Sequence, residues 1–143
     1  MHRSCKSGKL GILPIEEEFE YVWLSTVSEK IYRIESIPFF SYDYTYLDEV
    51  MADTYMLGEE EILLIKAIVQ PSPYVDFRVH ILNEGVTEYM LARLEAAYLK
   101  TEKSSQRMYA IAALPHQIGS LQEFLENGSK LGHIEWEIGR SIS

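Results

Sequence analysis

The sequence predicts an α+β fold in two halves: a small antiparallel, barrel-like sheet, then a ferredoxin-like βαββαβ half with two helices on one face. Three observations predict it. Up to about residue 70 the apolar residues fall in short β-branched and aromatic runs broken by turn residues; Pro71 and Pro73 then interrupt the pattern; beyond them, strand-like runs enclose two stretches with apolar residues at three- and four-residue steps. With 143 residues, 47% of them hydrophobic, the chain suffices for one well-buried core and is short for two, so the halves are expected to form one compact unit.

Residues 1–14, MHRSCKSGKLGILP, read as a flexible tail with a basic flank; their apolar run is too short for a signal segment. The antiparallel half is expected over 15–72. FEYVWLST (19–26) and KIYRIES (30–36) form a hairpin about Val27, Ser28 and Glu29, and VMADTYML and EEILLIKAIVQ form a second about Leu57, Gly58 and Glu59. The prolines end this half, since neither can donate to a ladder. In the second half, 73–143, VDFRVHIL (75–82) alternates like a strand. Val86, Met90, Leu91, Leu94, Ala97 and Tyr98 share one helical face. A short strand is expected around Leu99 to Glu102, then RMYAIAALP as a strand stopped by Pro115. Ser120 with Glu123 fits a capping box for a second helix carrying Leu121, Phe124, Leu125 and Leu131, and HIEWEIG (133–139) closes the sheet.

The run IESIPFFSYDYTYLDEVMA, with the hairpin before it and FRVHIL after it, resembles a bacterial family known as domain of unknown function 4265. The resemblance rests on Trp23, Pro38, Phe39, Phe40, Asp48, Val50 and Arg78, and on Trp136 between Glu135 and Glu137. It covers nearly all of residues 19–139 and implies the fold without an activity. Two departures stand out: Leu47 occupies the place of the family's glycine before Asp48, and Ser72-Pro73-Tyr74-Val75-Asp76 replaces a small polar motif before Arg78. The resemblance implies that any ligand loop formed there is lost in this chain.

Charge narrows the function. The chain carries 22 Asp and Glu against 13 Lys and Arg, a net charge of −9, unevenly spread. Residues 10–72 hold 13 acids and 3 bases (13 − 3, net −10), whereas residues 73–143 hold 9 and 7 (net −2). An acidic half repels phosphate backbones and favours basic partners. Nucleic acid is therefore not the expected partner, and the strand RMYAIAALP lacks the aromatic and basic residues of an RNA-binding sheet. No apolar run reaches transmembrane length, so no membrane partner is expected. Cys5, the single cysteine, permits no internal disulfide and no thiolate zinc site, and a reducing, cytoplasmic location fits it.

Candidate sites follow. In an extended chain Tyr42, Tyr44 and Tyr46 share a face with Phe40, either as a recognition surface or packed under a loop at the barrel rim. Asp43, Asp48, Glu49 and Asp53 surround that face at spacings that match no metal loop. The runs Glu16 to Glu18 with Glu20, and Glu59 to Glu61, are solvated faces or docking points for a basic partner. Asp76, Arg78 and His80 form a polar row opposite Phe77, Val79 and Ile81, fit for a salt bridge or a partner contact. His116 and His133 lack a third ligand for zinc. No catalytic residue, metal or cofactor is expected. The expectation is a non-enzymatic, acidic inhibitor of the immunity or antitoxin kind, a monomer or weak dimer when free, that binds a basic toxin domain through Tyr42, Asp43, Tyr44, Tyr46, Asp48, Glu49, Asp53, Asp76, Arg78 and His80. The alternative is a ligand-binding or enzymatic domain with a polar groove at Asp76, Arg78 and His80.

Overall fold

The switch of hydrophobic period beyond Gln70 corresponds to a change of architecture. The computed structural model describes residues 8–105 and 107–140, so Cys5 and the start of the expected tail lie outside the described residues. The chain divides into two units, Met1–Ser72 and Pro73–Ser143.

The first unit is a closed barrel of β1 (Lys9–Ile15), β2 (Glu18–Ser28), β3 (Ile31–Ile34), β4 (Glu49–Leu57) and β5 (Glu60–Gln70), in sequence order around the ring. Neighbours in sequence pair antiparallel. The closing contact, β1 with β5 at Gly11↔Leu63 and Ile12↔Leu64, is parallel. This follows from counting: in an up-and-down chain of five strands the first and fifth run the same way. The inward side chains, Leu13, Val22, Leu24, Tyr32, Ile34, Val50, Ala52, Leu63 and Ile65, form one core. Gly11 matters to that core, because a Cβ there would collide with the side chain of Leu24. Register shifts between Thr26 and Ser28, between Glu49 and Val50 and between Met51 and Ala52 add the local twist that a small barrel needs.

The expected tail is corrected over residues 9–14, which belong to β1. KLGILPI alternates Leu10 and Ile12 on one side with Gly11 and Leu13 on the other, but a glycine, a proline and a basic flank mask the pattern as loop-like. Pro14 is tolerated because it sits near the strand end.

The second unit orders its strands β7 (Lys100–Lys103), β8 (Met108–Ala113), β6 (Val75–Ile81) and β9 (Ile134–Ile138), all antiparallel. A 3-10 turn (Glu84–Val86) leads into α1 (Thr87–Ala96), and α2 (Pro115–Lys130) joins β8 to β9. Strand order and the βαββαβ sequence are those of the ferredoxin-like arrangement. Val75, Phe77, Val79 and Ile81 of β6 pack with Met90 and Leu94 of α1 and Leu121 and Leu125 of α2 in one core. Helix α2 begins five residues before the expected Ser120. Pro115 opens it instead of merely ending the strand, and the Leu114 N–H donates to Gln117 Oε1 at 2.9 Å, closing the first turn. No helix among the described residues is long and apolar enough to cross a membrane.

Candidate functional site: an aromatic face on the barrel unit

Strand β2 is apolar on both sides. Val22 and Leu24 point inward, which leaves Phe19, Tyr21 and Trp23 on the outer surface, 55%, 52% and 43% exposed. Their cross-strand partners on β1 are Pro14, Ile12 and Leu10, and Ile12 in turn pairs with Leu64 of β5, so the aromatic row extends into a contiguous apolar face. Phe19 and Tyr21 meet edge to face, ring centroids 5.4 Å apart. Glu16, Glu17 and Glu18, all exposed, border the row at the β1–β2 turn.

Glu20, between Phe19 and Tyr21, does something different from its acidic neighbours. Its carboxylate accepts from the backbone N–H of Phe39 at 2.6 Å, of Phe40 at 3.2 Å and of Ser41 at 3.3 Å. One side chain thus gathers three amides that no strand ladder satisfies, and holds the loop that carries exposed Phe40 and Tyr42 against β2.

That loop is where the expected tyrosine face is corrected. Residues 40–48 are not a strand: Ser41 and Thr45 are buried, Tyr44 is half-buried against the barrel core, Tyr46 is half-buried, and the exposed residues of the segment are Phe40, Tyr42 and Asp43. Asp48 causes this. It is fully buried; its carboxylate accepts from the N–H of Thr45 at 2.9 Å and of Ser72 at 2.8 Å, and the Ser72 hydroxyl donates to the Tyr46 carbonyl at 2.6 Å. Asp48 is a loop-tying residue and not a surface contact. Leu47 beside it takes φ 65°, the left-handed region that favours glycine, which accounts for the glycine of the resembling family at this place. Burial, reinforced by the charges of Asp43 and Asp48, raises the Tyr44 hydroxyl above the usual tyrosine range.

The remaining expected residues scatter. Glu49 pairs with Arg33 at 2.9 Å, and Asp53 lies half-buried on β4 opposite Leu64. In the second unit Asp76, Arg78 and His80 do share a face of β6, but Asp76 is 0% and Arg78 3% exposed. Asp76 Oδ2 accepts from Arg78 Nη2 at 3.1 Å, and Oδ1 accepts from the Arg140 N–H at 2.8 Å. Gly139 lies directly against the pair, where any Cβ would collide with both side chains. These two residues are corrected from partner contacts to an internal ion pair. His80 stays half-exposed, its Nδ1 3.5 Å from Glu135. Among the described residues, no three His, Cys, Asp or Glu side chains converge as metal ligands.

Sequence reasoning missed Phe19 and Tyr21 as surface residues and took Trp23 only as a family marker. The signal was present: F-E-Y-V-W-L places an aromatic at every second position, but with Val and Leu between them either side of the strand qualifies as core.

Comparison of the chain with curated proteins gives no significant match. A crystal structure described as that of a hypothetical protein from Neisseria gonorrhoeae is similar in fold, with a TM-score of 0.75 at 16% identity, covering 99% of this chain and 100% of that one. The family model described as Domain of unknown function (DUF4265) matches residues 20–136, a span that includes the barrel strands from β2 onward, Glu20 with the loop it holds, and the ferredoxin-like unit as far as Trp136; the chain belongs to that family.

Proposed function

We propose that this chain is a non-enzymatic binding protein that holds a basic protein domain on the outer face of its barrel unit, in the manner of an immunity or antitoxin-like inhibitor. One observation carries the reading: three large aromatic side chains, Phe19, Tyr21 and Trp23, stand exposed in a row beside Glu16 to Glu18, on a segment (residues 10–72) with 13 acids and 3 bases. Exposed aromatics with an apolar surround provide the anchors on which protein interfaces concentrate their energy, and the acidic border steers a basic partner towards them. Phe40 and Tyr42, exposed on the loop that Glu20 ties to β2, add further aromatic surface to the barrel unit.

The alternative built on Asp76, Arg78 and His80 has less to offer a ligand, because only His80 is accessible. The binding reading is tested by co-expression with the C-terminal domain of the protein encoded immediately upstream, which this reading expects to be basic. Protection of the cell and co-purification of the two proteins are expected. A metabolic neighbour, or failure both to protect and to co-purify, overturns the inhibitor form.

A further inference from the structure

The second unit carries a feature independent of the barrel face. Helices α1 and α2 do not close over the sheet; a groove runs between them in two sections that share Arg93 and Phe124. One section, about 240 Å³, lies among Leu94, Ala97, Leu99, His116, Gln117 and Leu121. The other, about 430 Å³, lies among Val86, Met90, Asn127, Gly128, His133 and Ile134. Small residues are among those that line it: Ala97 and Ser120 in the first section, Gly85 and Gly128 in the second.

Arg93 stands at the junction. Its guanidinium lies 5.8 Å from the ring centroids of both Tyr89 and Phe124, and Nη1 donates to the Tyr89 hydroxyl at 3.2 Å. The two rings, 6.3 Å apart, hold the guanidinium plane in place. In a chain with 22 acidic residues, no carboxylate lines either section, and Arg93 forms no ion pair among the described residues. The result is a pre-oriented cation with free donors over an apolar floor of Met90, Leu94, Leu121, Phe124 and Ile134.

The geometry points to a binding site for a small monocarboxylate with an apolar body, its carboxylate on the Arg93 fork and its body along Phe124 and the floor of the groove. A single guanidinium matches one carboxylate in two parallel hydrogen bonds. A phosphate monoester carries more charge than one arginine balances, and among the described residues no lysine lines the groove. The larger section falls within the range of small-molecule sites, about 300–1,000 Å³.

Phenylacetate and hexanoate serve as probes, titrated into the full-length protein and followed by amide chemical shifts. Saturable shifts confined to α1, α2 and the start of β9 are expected for at least one of them, with a Kd of about 1 mM or tighter for ligands of this size. Phenylacetamide, equal in shape and uncharged, is expected to bind at least tenfold more weakly than phenylacetate, or not at all where hexanoate is the binder. Arg93→Gln is expected to abolish the preference for the acid at unchanged melting temperature; should that variant unfold, Arg93→Lys, which keeps the charge but not the fork, is expected to retain a reduced preference. Absence of saturable shifts with both acids, equal binding of acid and amide, or acid binding unchanged in the folded Arg93 variant overturns the assignment.

Discussion

Two rows of alternating residues, one in each unit, reverse the usual rule of surface and core. On β2 the row Phe19, Tyr21 and Trp23 is aromatic and lies outside; on β6 the row Asp76, Arg78 and His80 is polar, yet its first two members are fully enclosed. The difference teaches that alternation reveals which residues share a face and leaves open which face meets water. Burying Asp76 with Arg78 is tolerable because each neutralises the other and Asp76 also accepts a backbone N–H. Exposing three aromatics forgoes burial the barrel would otherwise gain, and it is on this face that the partner is proposed to bind.

The sharpest way to break the contrast is to remove one member of the enclosed pair. Asp76→Ala leaves Arg78 buried without its carboxylate, and urea unfolding is expected to show a loss of about 3–5 kcal/mol. Gly139→Ala attacks the same pair from outside: its Cβ would collide with Asp76 and Arg78, and a loss of about 2 kcal/mol is expected, within the range for overpacking a tight site. On the barrel, Trp23→Thr removes an exposed side chain from a strand that its Cβ-branched replacement suits, and the same measurement is expected to register about 1 kcal/mol or less.

The loop between β3 and β4 of the barrel unit gives smaller effects, the first of opposite sign. Leu47→Gly relieves a left-handed residue, worth roughly 1–2 kcal/mol, against the greater flexibility of glycine in the unfolded chain, so a net gain of about 0.5–1 kcal/mol is expected, with no gain for Leu47→Ala. The smallest effect concerns pH. The Tyr44 hydroxyl titrates above its unfolded value of about 10, so the native state holds the proton more tightly; its contribution to stability is intact below that pH and is lost as the pH rises through the folded value. Tyr44→Phe is expected to flatten the decline of stability in the alkaline range.

Much of this architecture was legible in the sequence. Both hairpins of the barrel, the change at Pro71 and Pro73, the helix following Val86 and the short strand at Lys100–Lys103 announce themselves by local pattern. What escaped was non-local. Strand β1 is recognisable only once β2 and β5 offer it ladders on both sides, and the parallel closure at Gly11 and Ile12 joins residues some fifty positions apart. The tyrosine segment alternates like a strand but becomes a loop, because Glu20 and Asp48 draw in the backbone amides of Phe39, Phe40, Ser41 and Thr45. A carboxylate that binds amides looks in sequence like any other acidic residue. The candidate site fared accordingly: Tyr42 and Asp43 are exposed, Asp48, Asp76 and Arg78 are structural, and the aromatic row was hidden by a strand that is apolar on both sides.

The claim that the barrel face binds a basic protein is tested most directly by the affinity of the purified chain for the C-terminal domain encoded immediately upstream, expected to be basic, measured by calorimetry at low and high salt for the wild type and for the double variant Tyr21→Ser, Trp23→Thr. Salt-weakened binding by the wild type and an affinity at least about 30-fold lower in a still-folded variant, equivalent to about 2 kcal/mol, are predicted. No binding by the wild type, or equal affinity in the variant, would contradict the account.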